Sequence, residues 1–273
     1  STGSHTGPSE LKITGTSPSA LGVTTHMNSK WNWVAMTSGR TAMWAAGYAD
    51  GLSEIWGIQI DETGATNVPD MAGATVIATL PFGEIVNDIQ YYLGNVIVST
   101  NRGIRICEVS ANMVSMKEFI TLGPLLWDYN GYGVNGVTVY DKYVYAATTV
   151  DDSGTTHRGA LVRIDLGKQF EDTTYAYAYD LEDSIGENST FTDVMFVDGR
   201  RVVISEEDGS SGEIKVEHTT NYVPSGYLQT GYIRYATIEP KYFKKVKLEG
   251  AYPSDSSVTT SAVEETGNVY TLY

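Results

Sequence analysis

Four histidines, at positions 5, 26, 157 and 218, and a single cysteine, Cys107, are the obvious places to look for chemistry, and their spacing offers little. No His-Glu-x-x-His or other paired metal spacing occurs, and one cysteine supplies neither an internal disulfide nor a cysteine-based zinc site. Cys107 stands in Ile104-Arg105-Ile106-Cys107-Glu108-Val109. Strand alternation puts it on one side with Arg105 and Val109, so it reads as a small buried residue rather than a nucleophile. His157 lies in the polar stretch Asp151–Gly159, but a Ser–His–Asp triad is an arrangement in space that neighbours in one loop rarely supply. Neither a Gly-x-Ser-x-Gly elbow nor a Gly-x-x-x-x-Gly-Lys-[Ser/Thr] phosphate loop is present.

The carboxylates offer more. Asp88 and Asp193 occupy matching positions in a repeated pattern, with Gly136 at the intervening copy. Glycosidases use paired acids held in different environments, so this pair is the candidate for that chemistry. Recurrence at one repeat position instead favours a structural role at a turn or strand end. Glu206–Glu213 (EEDGSSGE) has the oxygen-rich character of a calcium loop without the EF-hand spacing, and reads as a solvated hairpin loop. Trp127, Tyr129 and Tyr132 fall in one Gly-flanked loop. They are suited equally to stacking on a sugar or meeting a protein, and to plugging a gap between sheets. No catalytic residue, metal site or cofactor is expected.

The elements that must position these residues repeat. Val86–Thr100 reads as an alternating strand, a tight Gly-Asn turn and an apolar strand. The pattern returns at Val134–Thr148 and Phe191–Ser205, and in degenerate form from Trp31 through a turn at Gly39-Arg40 to Ala46. Third strands follow at 54–60, 103–107, 161–166 and 213–217, and outer strands at 75–79 and 175–179. Four copies spaced by roughly 50 residues match the blade period of a β-propeller. A β-sandwich also alternates strands and turns, but it does not repeat a whole four-strand unit. The expected fold is therefore all-β, with at least four propeller-like blades over 31–222. Residues 1–30 are read as an N-terminal extension or partial blade. Residues 223–273 are read as a C-terminal β extension or linker, with 253–262 as loop and 268–273 as a further strand.

The 33 acidic against 18 basic residues, a formal net charge of −15, make nucleic acid and anionic membranes poor partners. No stretch has the length of apolar sequence that a membrane helix needs, so no membrane insertion is expected. The N-terminus lacks the apolar core of a signal peptide and an initiator Met, and is expected to be a fragment's or a processed end. One segment departs from the acidic average. Gly226–Leu248 interleaves Tyr232, Tyr235 and Phe243 with Arg234, Lys241, Lys244 and Lys245, a composition suited to a subunit contact.

Three stretches resemble the minor tail proteins of long-tailed bacteriophages infecting actinobacteria. They are Leu93–Arg105, with its Thr-x-x-Gly-Ile-Arg turn, the strands from Tyr143 to Leu181, and Ser225–Lys244, with its Ile-Arg-Tyr-x-Thr-x-Glu-Pro-Lys string. The resemblance spans most of residues 31–250. It implies a virion component at or near the tail tip, built as a symmetric homo-oligomer among other tail proteins and contacting a host-surface glycan or protein. The reading set against it is a carbohydrate-binding or glycoside-hydrolysing propeller, because the fold hosts both.

Overall fold

Alternating apolar residues and frequent turn residues leave this chain no helix-period stripe to bury, and all of its assigned elements are strands. The computed structural model describes residues 10–12, 23–39, 41–61, 68–111, 118–126, 132–151, 156–169, 175–181, 188–207, 212–218, 260–263 and 269–272. Two compact units meet in sequence between Val223 and Pro224.

In the first unit, β1 (Glu10–Lys12) and β2 (Val23–Thr25) pair as a small antiparallel sheet. Blade 1 follows with β3 (Asn32–Ser38), β4 (Ala42–Ala49), β5 (Leu52–Asp61), β6 (Val68–Pro69) and β7 (Thr75–Thr79), the last two both pairing with β5. Blade 2 holds β8 (Val86–Tyr92), β9 (Asn95–Thr100), β10 (Gly103–Ala111), β11 (Glu118–Thr121) and β12 (Leu125–Leu126). Blade 3 is β13 (Val134–Tyr140), β14 (Tyr143–Asp151), β15 (His157–Gln169) and β16 (Tyr175–Leu181). Blade 4 has β17 (Ser189–Val197), β18 (Arg200–Glu207) and β19 (Glu213–Val216). The innermost strands β3, β8, β13 and β17 pack side by side in that order. The chain thus forms four blades of a β-propeller, and the four hairpins that repeat in the sequence are the inner halves of those blades. Among the described residues, no packing of comparable extent joins β17 back to β3.

In the second unit, β20 (Thr260–Val263) and β21 (Val269–Leu272) form an antiparallel hairpin. β21 lies where a terminal strand is expected, whereas β20 begins inside the Ser- and Thr-rich stretch that composition marks as loop.

Two local devices recur in every blade. Two-residue turns join strands within blades, with left-handed backbone at Asp50-Gly51, Leu93-Gly94, Asp141 and Asp198-Gly199. In blade 2 the turn is therefore Leu93-Gly94, one residue earlier than the Gly-Asn pair read from sequence, because Asn95 already pairs with Tyr92. Each innermost strand also carries a β-bulge at the same position, on Val34, Asn87, Asn135 and Thr192.

The blades meet through alternating side chains. Trp44, Ala46 and Ile55 of blade 1 bury against Val86, Ile89 and Val98 of blade 2. Ile97, Ile104 and Ile106 of blade 2 bury against Val137, Val144 and Ala146 of blade 3. Tyr145, Ala147 and Leu161 of blade 3 bury against Phe191, Val194 and Val203 of blade 4. The face a blade turns to its successor is called trailing here, and the face turned to its predecessor leading. At the seams, Trp44 stacks on Tyr91 with ring centres 4.7 Å apart, and Tyr140 stacks on Phe196 at 4.3 Å.

The bulge residues tie the seams polarly. Asn87 Nδ2 donates to the Val134 carbonyl at 2.8 Å, and Asn135 Nδ2 donates to the Phe191 carbonyl at 2.8 Å. Each bond crosses from one blade to the next. Replacing Asn135 by Ala strands a half-buried carbonyl and should lower unfolding free energy by about 1 kcal/mol. Urea unfolding of the variant against the parent measures it, and an unchanged midpoint would refute the bond's role.

Candidate functional site

The bulges aim the residue that follows them at the seam between innermost strands, and that residue is Asp in two blades and Gly in a third. Asp88 Oδ1 accepts the Ile89 N–H at 2.8 Å, and its Oδ2 accepts the Val137 N–H of blade 3 at 3.1 Å. Asp193 Oδ1 accepts the Val194 N–H at 2.7 Å. Gly136 separates them because its place is taken: a Cβ there would collide with the Asp193 carboxylate. The two acids therefore flank the same glycine. Burial pushes the Asp88 carboxyl up to about 6, against the two N–H bonds that favour its charge, and the Asp193 charge adds a smaller push.

Asp88 also lines a hollow of about 420 Å³ between blades 1 and 2, with Met36, Thr37, Ser38, Gln90 and Tyr91. Among the described residues that line it, Asp88 stands without a second acid. A second hollow, of about 560 Å³, lies between Leu93, Ile106, Glu108, Pro124, Gln169 and Tyr175. Among the described residues on its wall, Glu108 is the one carboxylate.

Other chemistry-bearing side chains are held in structural bonds. Cys107 is buried in the blade 1–2 cluster, and burial pushes its thiol up to about 11, so it stays neutral and inert. His157 lies beside Tyr132, ring centres 5.9 Å apart. His26 stacks on Trp31 at 3.9 Å and meets Trp56 edge-on, and Trp33 packs edge-on against both of those tryptophans. His26 Nδ1 accepts the Asn28 N–H at 3.0 Å, which leaves the neutral ring's proton on Nε2, 3.3 Å from Glu54 Oε2. The Trp56 indole donates to the same oxygen at 3.0 Å. Main chain at Nδ1 and Glu54 at Nε2 together fix the ring of His26 within this cluster. Sequence reasoning missed the cluster; its one signal was the concentration of tryptophan at 31, 33 and 56.

Of the residues read as recognition or partner contacts, Tyr132 is described, half-buried next to β13. Trp127, Tyr129, Tyr232, Arg234, Tyr235, Lys241, Phe243, Lys244 and Lys245 lie outside the described residues. The middle of the Glu206–Glu213 loop, 208–211, also lies outside them. Among the described residues no group of three or more His, Cys, Asp or Glu is placed to hold a metal ion. Compared with known proteins, the chain matches no protein-family model and none of the curated sequences.

Proposed function

We propose that this chain is a structural, non-catalytic minor tail protein of a phage virion, carried at or near the tail tip and in contact with other tail proteins. The observation that carries the non-catalytic part is the commitment of Asp88 and Asp193 to backbone N–H groups beside the bulges. Of those bonds, the one from Val137 to Asp88 crosses from blade 3 to blade 2, and the one from Val194 holds Asp193 on its own strand. The tail assignment rests on the stretches 93–105, 143–181 and 225–244, and a surface with net charge −15 suits a protein that neither wraps nucleic acid nor enters a membrane.

Antibody raised against the chain, conjugated to gold and applied to intact particles of the phage that encodes it, tests this reading. Label at the tail tip is the expected result, and particles that carry no label anywhere on the tail overturn it. A glycan-directed propeller is the second reading, favoured by the Asp88 carboxyl titrating near 6 at the edge of a hollow. It requires glycan hydrolysis or binding that disappears in Asp88→Asn while the fold is kept.

A further inference from the structure

The repeat register makes the exposure of any position comparable from blade to blade. Ile55, Ile104 and Leu161 occupy one position on the third strands of blades 1, 2 and 3, paired with Ala46, Ser99 and Ala147. All three are buried, at 0 %, 0 % and 5 % exposure. The same position in blade 4 is Ile214, paired with Ile204, and it is 72 % exposed. Val216 beside it, and Met195 and Val197 on β17, are exposed as well. Together with Val202 and Ile204 they form the trailing face of blade 4, the face that in every other blade is covered by a successor. Among the described residues nothing covers this aliphatic sheet face; a face of this kind marks an interaction surface, and the end repeat of a stacked array needs a cap.

The charges on that face choose its occupant. Alternation along β18 puts Arg200, Val202, Ile204 and Glu206 on the trailing side, which gives a basic end, an aliphatic middle and an acidic end. Arg200 and Glu206 are both exposed and stand about 20 Å apart along the strand. Such a face is its own complement when turned end for end. The opposite end of the row is not available to it, because the leading face of blade 1 already holds Leu11 of β1 against the Ala45, Ile58 and Met71 cluster. We infer that the trailing face of blade 4 seats the same face of a second copy of this chain, across a twofold axis that sets the two β18 strands antiparallel. Val202 of each copy then lies over Ile204 of the other, and Arg200 meets Glu206 at both ends. A twofold contact of one patch with itself is the commonest way for soluble chains to associate.

Sedimentation velocity on the full 273-residue chain tests this. The wild-type chain should sediment as a dimer. Arg200→Glu and Glu206→Arg each place like charges at both ends and should weaken self-association by roughly tenfold or more. Mixing the two variants restores both opposite-charge pairs, so the mixture should recover the dimer although each variant alone does not. Ile214→Lys should be monomeric alone and in either mixture. A wild-type chain that stays monomeric overturns the inference, since the face is then bare or covered by the chain's own remaining residues. Dimers that tolerate all three substitutions, or charge variants that fail to rescue each other, overturn it equally. All three residues are exposed, and unchanged circular dichroism of the variants separates loss of association from loss of fold.

Discussion

Replacing Arg105 by Ala is expected to lower the unfolding free energy by about 3–5 kcal/mol, the cost of leaving a buried carboxylate without its counter-ion. Glu84 is 2 % exposed and sits in the link between blades 1 and 2. Arg105, on β10, grips it with both arms of the guanidinium, Nε to Oε1 and Nη2 to Oε2, each at 2.7 Å. Its remaining arm, Nη1, donates to the Gly123 carbonyl at 2.7 Å, so one side chain ties three separate segments of chain. Ser53 Oγ reaches the same link, donating to the Glu84 carbonyl at 2.9 Å and accepting the Val86 N–H at 3.1 Å. Removing the cation leaves Glu84 sealed from water, whereas removing both charges does not. Guanidinium chloride unfolding of Arg105→Ala, Glu84→Gln and Arg105→Met with Glu84→Gln separates these cases. The double variant should be less destabilised than Arg105→Ala alone. A loss below about 1 kcal/mol for Arg105→Ala would mean that the pair behaves as an exposed one.

That pair also marks where sequence reading stops. The hairpins of blades 2, 3 and 4 were legible because Val-Asn-Asp-Ile, Val-Asn-Gly-Val and Phe-Thr-Asp-Val recur at a near-constant spacing ahead of apolar strands. The Thr-x-x-Gly-Ile-Arg turn was legible as a string but not as a mechanism. In the structure Thr100 Oγ1 accepts the Arg102 and Gly103 N–H groups and closes the turn. Asn101 bonds the passing link, accepting the Ile85 N–H at 2.8 Å and donating to the Gly83 carbonyl at 3.2 Å. The turn thereby presents Arg105 to a carboxylate 21 residues earlier, and no local pattern encodes that partner. The bulges were hidden for a different reason. A bulge adds one residue to a strand, and in sequence this shows only as a slip in alternation at Asn87, Asn135 and Thr192. The glycine at 136 looked like a gap in a row of acids. It is the space into which Asp193 reaches. The bare face of blade 4 was illegible too, because Ile214 and Val216 read as core residues at core positions, and exposure depends on what lies beyond them.

Asp88 should make stability depend on pH in a direction opposite to that of an ordinary salt-bridged carboxylate. Its folded-state value, about 6, lies above its ordinary 3.8 because burial between β8 and β13 outweighs the two N–H bonds that favour the anion. The folded protein therefore binds this proton more tightly than the unfolded chain does. The stabilisation is fully present below about pH 3.8 and is lost as pH rises through about 6, a span worth about 3 kcal/mol. Glu217 acts the other way, since Arg201 holds its carboxyl below the usual range and its contribution is lost as pH falls. The raw pH profile of the wild-type chain mixes both signs. Subtracting the Asp88→Asn variant isolates the one of interest, because every other carboxylate cancels in the difference. Asn keeps an oxygen for one N–H but turns its NH₂ toward the other, so a constant cost from the amide is expected at every pH. On top of it, the stability of Asp88→Asn relative to wild type should rise by about 2 kcal/mol from pH 4 to pH 7, as the wild-type chain loses its proton and the variant loses nothing. Urea midpoints of both proteins across that range measure the rise. A difference that stays flat from pH 4 to pH 7 would show that Asp88 ionises alike in the folded and unfolded chain. It would also remove the physical basis for reading this acid as a desolvated strut between blades rather than a solvent-facing one.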